Sequence, residues 1–147
     1  MRPGAGAHSP GSGVACDTSV LVPAMVTWHP RHEDSRRTVT ETVTALPSHV
    51  LVETYSVLTR LPAPHRLSPA VAGKAVSGIG LEVLTLPGAV QIDMLHNLAE
   101  QGVRGGATYD GLVAATAKHH GLALLSADRR AQATYAAVGV DVQILAN

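Results

Sequence analysis

The segment ATYDGLVAATAKHHGLALLSADRRAQATYAAVGVDVQIL, residues 107–145, repeats one unit made of a helical stretch, a glycine and a short apolar run. Its spacing predicts helices over 107–120 and 129–138, each ended by the glycine that follows, because glycine favours a left-handed C-terminal cap. The apolar runs after these glycines, at 122–125 and 140–145, predict strands. Helices that alternate with short buried strands are typical of a parallel sheet covered by helices.

The chain before this segment follows the same alternation. Apolar runs at 14–16 and 81–86 each predict a strand followed by a helix. Residues 46–49 are a poorer strand candidate, because Pro47 indicates an edge strand or a simple connection. The remaining helices are predicted over 18–26, 31–45, 50–61, from Ser68 onward and over 87–101. We therefore expect an α/β protein, a three-layer α/β/α sandwich with a four- to five-stranded, mostly parallel sheet.

Length and composition narrow the possible functions. A chain of 147 residues is typical of one domain. Its 11 basic and 11 acidic side chains balance, which argues against a strongly basic nucleic-acid clamp or a polybasic membrane binder. One Trp, three Tyr and no Phe argue against recognition of bases by rows of aromatic rings. We expect residues 1–13, rich in Gly, Pro and Ser, to be a disordered tail, and residues 14–147 to form a single domain.

The cysteine content and the hydropathy indicate a cellular compartment. A single cysteine, Cys16, cannot form an internal disulfide, which excludes a secreted disulfide scaffold and favours a reducing cytoplasm. No apolar run reaches the roughly 18 residues of a membrane span, and residues 1–13 lack the apolar stretch of a signal peptide. We expect a cytoplasmic protein with no membrane partner.

Two acidic residues follow predicted strands. Asp17 comes directly after the strand at 14–16, and Asp128 comes three residues after the strand at 122–125. In open α/β sheets the reactive crevice lies beyond the carboxyl ends of the strands, so both acids are site candidates. A role as N-cap of the following helix would explain each of them alone, but the two roles can coexist.

Two further acids lie on predicted helices in registers shared with apolar residues. Glu53 stands three residues after Val50, and Asp110 stands three residues before Val113. A carboxylate that faces a core is costly unless it is paired or bound to a metal. Alternatively, Glu53 reaches solvent at the margin of its apolar face, and Asp110 is a first-turn acid favoured by the helix dipole.

Together, Asp17, Glu53, Asp110 and Asp128 can converge on one pocket, where their negative charges would repel each other. A divalent cation such as Mg²⁺ or Mn²⁺ resolves this repulsion, because it prefers oxygen ligands from a few carboxylates. Such an ion also activates water and stabilises charge on a scissile phosphate. The constellation therefore predicts hydrolysis of phosphodiester bonds.

The four acids lie in segments that resemble the acidic motifs of PIN-domain ribonucleases, and most closely those of the VapC-type toxins of bacterial toxin–antitoxin pairs. These segments are Asp-Thr-Ser-Val-Leu-Val at 17–22, Val-Glu-Thr-Tyr-Ser-Val-Leu-Thr-Arg-Leu at 52–61, Tyr-Asp-Gly-Leu-Val-Ala-Ala-Thr-Ala at 109–117 and Leu-Leu-Ser-Ala-Asp-Arg-Arg-Ala at 124–131. They occur in the order and spacing of the family, and the resemblance covers essentially the whole chain after Gly13.

The resemblance implies a metal-dependent endoribonuclease that acts as a toxin. By motif position, the metal-binding catalytic acids are Asp17, Glu53, Asp110 and Asp128. Ser126 would supply a supporting hydroxyl, and Arg130 stands where many relatives have a further acid, which favours one firmly held Mg²⁺, replaceable by Mn²⁺. The resemblance also implies a structured RNA substrate, a homodimer, and a small antitoxin protein whose C-terminal segment fills the acidic groove.

The basic residues nearest the expected edge are candidates for contacts with RNA phosphates. They are Arg104, Lys118, Arg129 and Arg130, although solvated surface charge would also explain each of them. Two other functions stay open. One is a catalytically silent PIN-like domain that dimerises or binds a partner. The other is a phosphatase of the haloacid dehalogenase type with Asp17 as nucleophile, which would require a second Asp where Ser19 stands.

Overall fold

The computed structural model of the chain describes residues 13–146. Of the tail expected over residues 1–13, residues 1–12 lie outside the described part, as does residue 147. The described residues form the strands β1 (Val14–Cys16), β2 (Ala45–Pro47), β3 (Glu82–Leu84), β4 (Ala123–Ser126) and β5 (Val142–Ile144). They also form the helices α1 (Thr18–Met25), α2 (His32–Glu41), α3 (Ser48–Thr59), α4 (Pro69–Ser77), α5 (Gly88–Glu100), α6 (Ala107–His119) and α7 (Gln132–Val138).

The strands form two parallel ladders that lie side by side. One ladder has the order β1-β4-β5 and the other pairs β2 with β3. They meet at Thr44, whose backbone N–H donates to Val14 O at 2.8 Å. The Thr44 side-chain oxygen accepts the Val14 N–H at 2.9 Å. Because the Thr44 side chain accepts the Val14 N–H, the regular backbone pairing between β1 and β2 is interrupted. The expected single sheet is therefore divided into two adjoining sheets.

Strand β2 differs from its predicted position. All three of its residues are buried, and it lies between β3 and β1 and not at the outer edge. Pro47 is tolerated because it is the last residue of the strand and precedes the first residue of α3. The outer strand on this side is instead β3, where Glu82 and Val83 are exposed.

The predicted helices are present, with shifted ends. Helix α2 stops at Glu41, four residues earlier than expected, because the chain must return to the sheet at Thr44. The helix predicted over 129–138 begins as a 3₁₀ turn, Arg129–Ala131, before α7. The left-handed φ of 71° at Gly121 and 85° at Gly139 confirms the predicted glycine caps.

The core lies around β1 and β4, where Ala15, Cys16 and Leu124 have no exposed surface. Helix α1 contacts α2 and α3, α3 contacts α4, and α5, α6 and α7 contact one another. These two helical groups with the parallel strands confirm the predicted α/β/α class. Over residues 13–146, no helix combines the length and apolar character needed to cross a membrane.

Candidate active site

A cavity of about 400 Å³ lies where β1 and β4 end. All four predicted acids line it: Asp17, Glu53, Asp110 and Asp128. The carboxyl ends of parallel neighbours β1 and β4 meet at one edge, which brings Asp17 and Asp128 together. Helices α3 and α6 contribute Glu53 and Asp110 from the side. The fold thus assembles the four carboxylates from segments far apart in sequence.

Asp17 serves both as a helix cap and as part of the cavity wall. It is 5% exposed, and its Oδ1 accepts hydrogen bonds from Ser19 N at 3.1 Å and from Ser19 Oγ. Its Oδ2 accepts a hydrogen bond from Tyr135 Oη at 2.6 Å. Burial raises the pKa of Asp17, while hydrogen bonds from Ser126, Ser19 and Tyr135 lower it. The carboxylate is therefore held in one orientation at the floor of the cavity.

Ser19 and Ser126 connect the loops that follow β1 and β4. Ser19 Oγ accepts a hydrogen bond from Ala127 N at 2.8 Å, across 108 residues of sequence. Ser126 is fully buried, and its Oγ accepts the Asp128 N–H at 3.0 Å. The two hydroxyl oxygens are 3.5 Å apart. Each serine thus fixes the backbone next to a cavity-lining aspartate.

The other three carboxylates are partly buried. Thr18 Oγ1 donates a hydrogen bond to Glu53 Oε1, which connects α1 to α3. Asp128 Oδ1 accepts the Arg130 N–H at 2.9 Å, so this acid caps the 3₁₀ turn as well. The pKa of Asp110 is raised to about 6, first by burial and then by the negative charges of Asp128, Glu53 and Asp17. The other three acids therefore lie close enough to Asp110 to repel its negative charge.

The donor set suits a hard divalent cation, because it consists of carboxylate oxygens around one cavity. Burial and, after it, repulsion from the other three carboxylates raise the pKa of Asp110, and such a cation would relieve that repulsion. In the conformations present, however, no three His, Cys, Asp or Glu side chains of residues 13–146 are arranged to hold a metal ion. The residue types fit the ion, and the carboxylates would have to move inward to bind it.

Of the basic residues predicted to contact RNA, only Arg130 lines the acidic cavity. Its Nε lies 3.7 Å from Asp128 Oδ1, and its side chain is almost fully exposed. Arg104 lines a separate groove with Gly102 and Thr134. Lys118 donates from Nζ to Val138 O at 3.0 Å, about 12 Å along α6 from Asp110. Arg129 is exposed and is not among the cavity-lining residues.

Sequence reasoning missed several residues that line the cavity, among them His29, Arg31, Arg60 and Tyr135. Arg60 had a usable signal, since it stands seven residues after Glu53 and shares its face of α3. His29 and Arg31 belong to the connection between α1 and α2, whose path no periodicity predicts. For Tyr135, the only hint was that a buried tyrosine hydroxyl requires a hydrogen-bond partner.

Comparison with known proteins places this chain in a family. The PIN domain family matches residues 14–137. Ribonuclease VapC40 of Mycobacterium tuberculosis is 44% identical over 133 residues, which cover 90% of this chain and 98% of that protein. Ribonuclease VapC27 of the same species is 38% identical over 133 residues, which cover 90% of this chain and 97% of that protein.

Solved structures show the same fold. VapC20 of Mycobacterium tuberculosis, a sarcin–ricin loop cleaving toxin, superposes with a TM-score of 0.67 at 19% identity, over 89% of this chain and 99% of that one. DNA-bound VapBC from Salmonella typhimurium gives a TM-score of 0.64 at 20% identity, over 90% and 98%. The family match, the two relatives and the shared fold agree, and the chain belongs to the PIN-domain family.

Proposed function

We propose that this protein is a Mg²⁺- or Mn²⁺-dependent endoribonuclease, the toxin of a toxin–antitoxin pair, and that residues 14–147 act as one nuclease domain. The observation that carries the proposal is the convergence of Asp17, Glu53, Asp110 and Asp128 on one cavity. The two relatives that share 44% and 38% of their residues with this chain are named ribonucleases, which supports RNA as the substrate.

In this proposal, Asp17, Glu53, Asp110 and Asp128 hold the ion. When bound, the ion supplies Lewis-acid stabilisation of the charge that develops on a scissile phosphate. Ser19 and Tyr135 orient the Asp17 carboxylate, and Ser126 fixes the backbone of Asp128. These hydrogen bonds restrict the Asp17 side chain and the backbone of Asp128, which lowers the conformational entropy lost when the ion binds.

The same proposal includes a cognate antitoxin and a homodimer in the cytoplasm. A VapBC complex is among the similar structures, which supports an antitoxin partner. Large apolar side chains are exposed along β3 and α5, at Val83, Ile92 and Leu95, and such a surface favours association. The phosphatase alternative has no support, because Ser19 stands where the second aspartate is required and the PIN domain family matches residues 14–137.

The test is cleavage of total bacterial RNA by the purified chain with Mn²⁺, with EDTA, and by the Asp110→Asn variant with Mn²⁺. We expect fragments only for the wild type with Mn²⁺. The matched control is Asp93→Asn, which removes an exposed acid on α5 that does not line the cavity, and this variant should cleave like the wild type. Equal fragmentation in all samples overturns the proposal, and no fragmentation in any sample favours the silent alternative.

A further inference from the structure

Besides Arg130, three side chains with nitrogen donors line the acidic cavity. His29 and Arg31 lie in the connection between α1 and α2, and Arg60 lies at the end of α3. We call these residues the donor wall. The Arg60 side chain is exposed to solvent, whereas Arg31 and His29 are partly buried.

Within residues 13–146, the guanidinium groups of the donor wall form no ion pairs. Among residues 13–146, the ion pairs are Arg36 with Glu33 and Arg130 with Asp128, so neither Arg31 nor Arg60 is neutralised by a carboxylate. Arg60 Nη1 donates to Ser56 Oγ at 2.7 Å, which orients the group and leaves most of its five donors unused. An arginine without an acidic partner, beside four carboxylates, is suited to a separate anionic ligand.

The third member, His29, presents a defined donor atom. The Arg31 backbone N–H donates to His29 Nδ1 at 3.0 Å, so Nδ1 is the acceptor nitrogen of the ring. Burial, with smaller effects from the charges of Arg31 and His32, lowers the pKa of His29 and favours the neutral ring. A neutral imidazole whose Nδ1 accepts must carry its proton on Nε2.

We propose that His29, Arg31 and Arg60 bind the phosphodiester backbone of RNA beside the four carboxylates. This inference rests on the proposed function and assigns its substrate-binding residues. Four carboxylates repel a polyanion, so the chain must supply cationic or donor groups next to them if a phosphate is to enter the cavity. Arg31 and Arg60, together with Arg130, supply three positive charges along that cavity.

The first test measures the salt dependence of RNA binding. The probe is a fluorescein-labelled 24-nucleotide RNA hairpin, bound to the full-length chain carrying Asp110→Asn to suppress cleavage, with anisotropy read between 50 and 300 mM KCl. In this background, Arg31→Gln and Arg60→Gln should each weaken binding about 3- to 10-fold and reduce the slope of log K against log salt by about 0.7 to 0.9. Arg60→Lys should restore the slope, because it restores the charge.

Two control variants distinguish the effect of the donor-wall charges on RNA binding from the effect of any other surface charge. Arg37→Gln removes an exposed charge on α2 that does not line the acidic cavity, and Arg36→Gln removes one that is already paired with Glu33. Both should retain the affinity and the slope of the parent. Unchanged slopes in both Arg31→Gln and Arg60→Gln, with circular dichroism confirming that they are folded, overturn the proposal.

A second test uses a pair of variants at His29. Glutamine places its amide near the position of Nε2, whereas asparagine places it near Nδ1 and keeps an acceptor for the Arg31 N–H. His29→Gln should therefore bind the hairpin almost like the parent, and His29→Asn about 3- to 10-fold more weakly. In chains with Asp110 intact, His29→Asn should raise KM more than it lowers kcat. Equal binding by the two variants contradicts the role of Nε2.

The outcomes distinguish this inference from the proposed function. If the wild type cleaves total RNA and the donor-wall variants bind the hairpin like their parent, the inference fails and the nuclease function stands. If the slopes change as expected but the wild type cleaves no RNA, the proposed nuclease function is wrong and RNA binding by the donor wall is confirmed. If the variants lose only the binding of an antitoxin protein, the wall is a protein-docking surface and the inference is wrong.

Discussion

The Tyr135 hydroxyl on α7 donates a 2.6 Å hydrogen bond to Oδ2 of Asp17, which follows β1. Both residues are almost completely buried, with 1% and 5% of their surfaces exposed. A buried carboxylate is costly unless donors compensate for its lost hydration. The hydroxyl lowers the pKa that burial raises, and it fixes the direction of the carboxylate at the cavity floor.

Replacement of Tyr135 by Phe should weaken both the fold and the proposed metal site. The variant keeps the buried ring and loses only the hydroxyl, so we expect a loss of about 1.5 to 3 kcal/mol in the free energy of unfolding, measured with urea. Loss of a partner that orients a metal ligand typically costs about 10- to 100-fold in affinity. Titration calorimetry with Mn²⁺ measures that loss. Tyr55→Phe, at a partly exposed ring on α3, is the control, and an Mn²⁺ affinity equal in both variants contradicts the role of Tyr135.

Ser19→Ala should uncouple the loops after β1 and β4. The substitution removes a donor to Asp17 and the acceptor of the Ala127 N–H, so we expect a stability loss of about 1 to 3 kcal/mol. Cleavage of RNA should fall by about 10-fold or more, because Asp17 and the loop before Asp128 lose a common anchor. Ser19→Thr retains a hydroxyl and should recover part of the activity. Ser77→Ala, which removes an exposed hydroxyl at the end of α4, serves as the control.

Ionisation of Asp110 should lower the stability of the metal-free protein as the pH rises from about 4 to about 6. The pKa of Asp110 is about 6 in the folded protein, above its ordinary 3.8, so the folded state binds more protons than the unfolded state between these values. The stabilisation is complete below about pH 4 and is lost as the pH rises through about 6. Thermal unfolding of the wild type, compared with Asp110→Asn, isolates this contribution. A wild-type curve parallel to that of Asp110→Asn would refute it.

Mg²⁺ should reverse this loss, because an ion that binds ionised carboxylates stabilises only the folded state. The increase in Tm on adding 10 mM MgCl₂ should be larger at pH 7 than at pH 5 in the wild type. It should be small at both pH values in Asp110→Asn, which carries one acid fewer in the cavity. The same increase at both pH values would contradict binding to the ionised carboxylates.

Thr54→Val should stabilise the protein. Thr54 lies on α3 with no exposed surface, and within residues 13–146 its hydroxyl has no hydrogen-bond partner. Valine has a similar shape and removes the unsatisfied group, so we expect a gain of about 1 kcal/mol. Thr116→Val is the control, because the buried Thr116 hydroxyl donates to Leu112 O at 2.7 Å and its removal should be neutral or destabilising. Urea midpoints that shift alike in both variants contradict this account.

Most of the fold could be predicted from local patterns. The apolar runs that became β1 and β4, and the glycines that end α6 and α7, are strong local signals. The interruption between β1 and β2 was not predictable, because it depends on the side chain of Thr44 reaching a backbone N–H thirty residues away. The 3₁₀ turn before α7 follows Asp128, whose side chain accepts the Arg130 N–H as an N-cap.

The sequence by itself determined the acidic half of the site. Asp17 and Asp128 follow buried strands, and Glu53 and Asp110 share helix faces with apolar residues, so strand order and helical periodicity bring all four to one edge of the sheet.

The tertiary structure alone decided what surrounds these acids. Tyr135 reaches Asp17 across 118 residues, and His29 and Arg31 enter the cavity from a connection without periodicity. Arg104 and Lys118, which seemed close to the site in sequence, lie elsewhere. The physical reason is that hydrogen bonds and cavity walls depend on how whole helices pack and cross, whereas local patterns specify only which face of each element is buried.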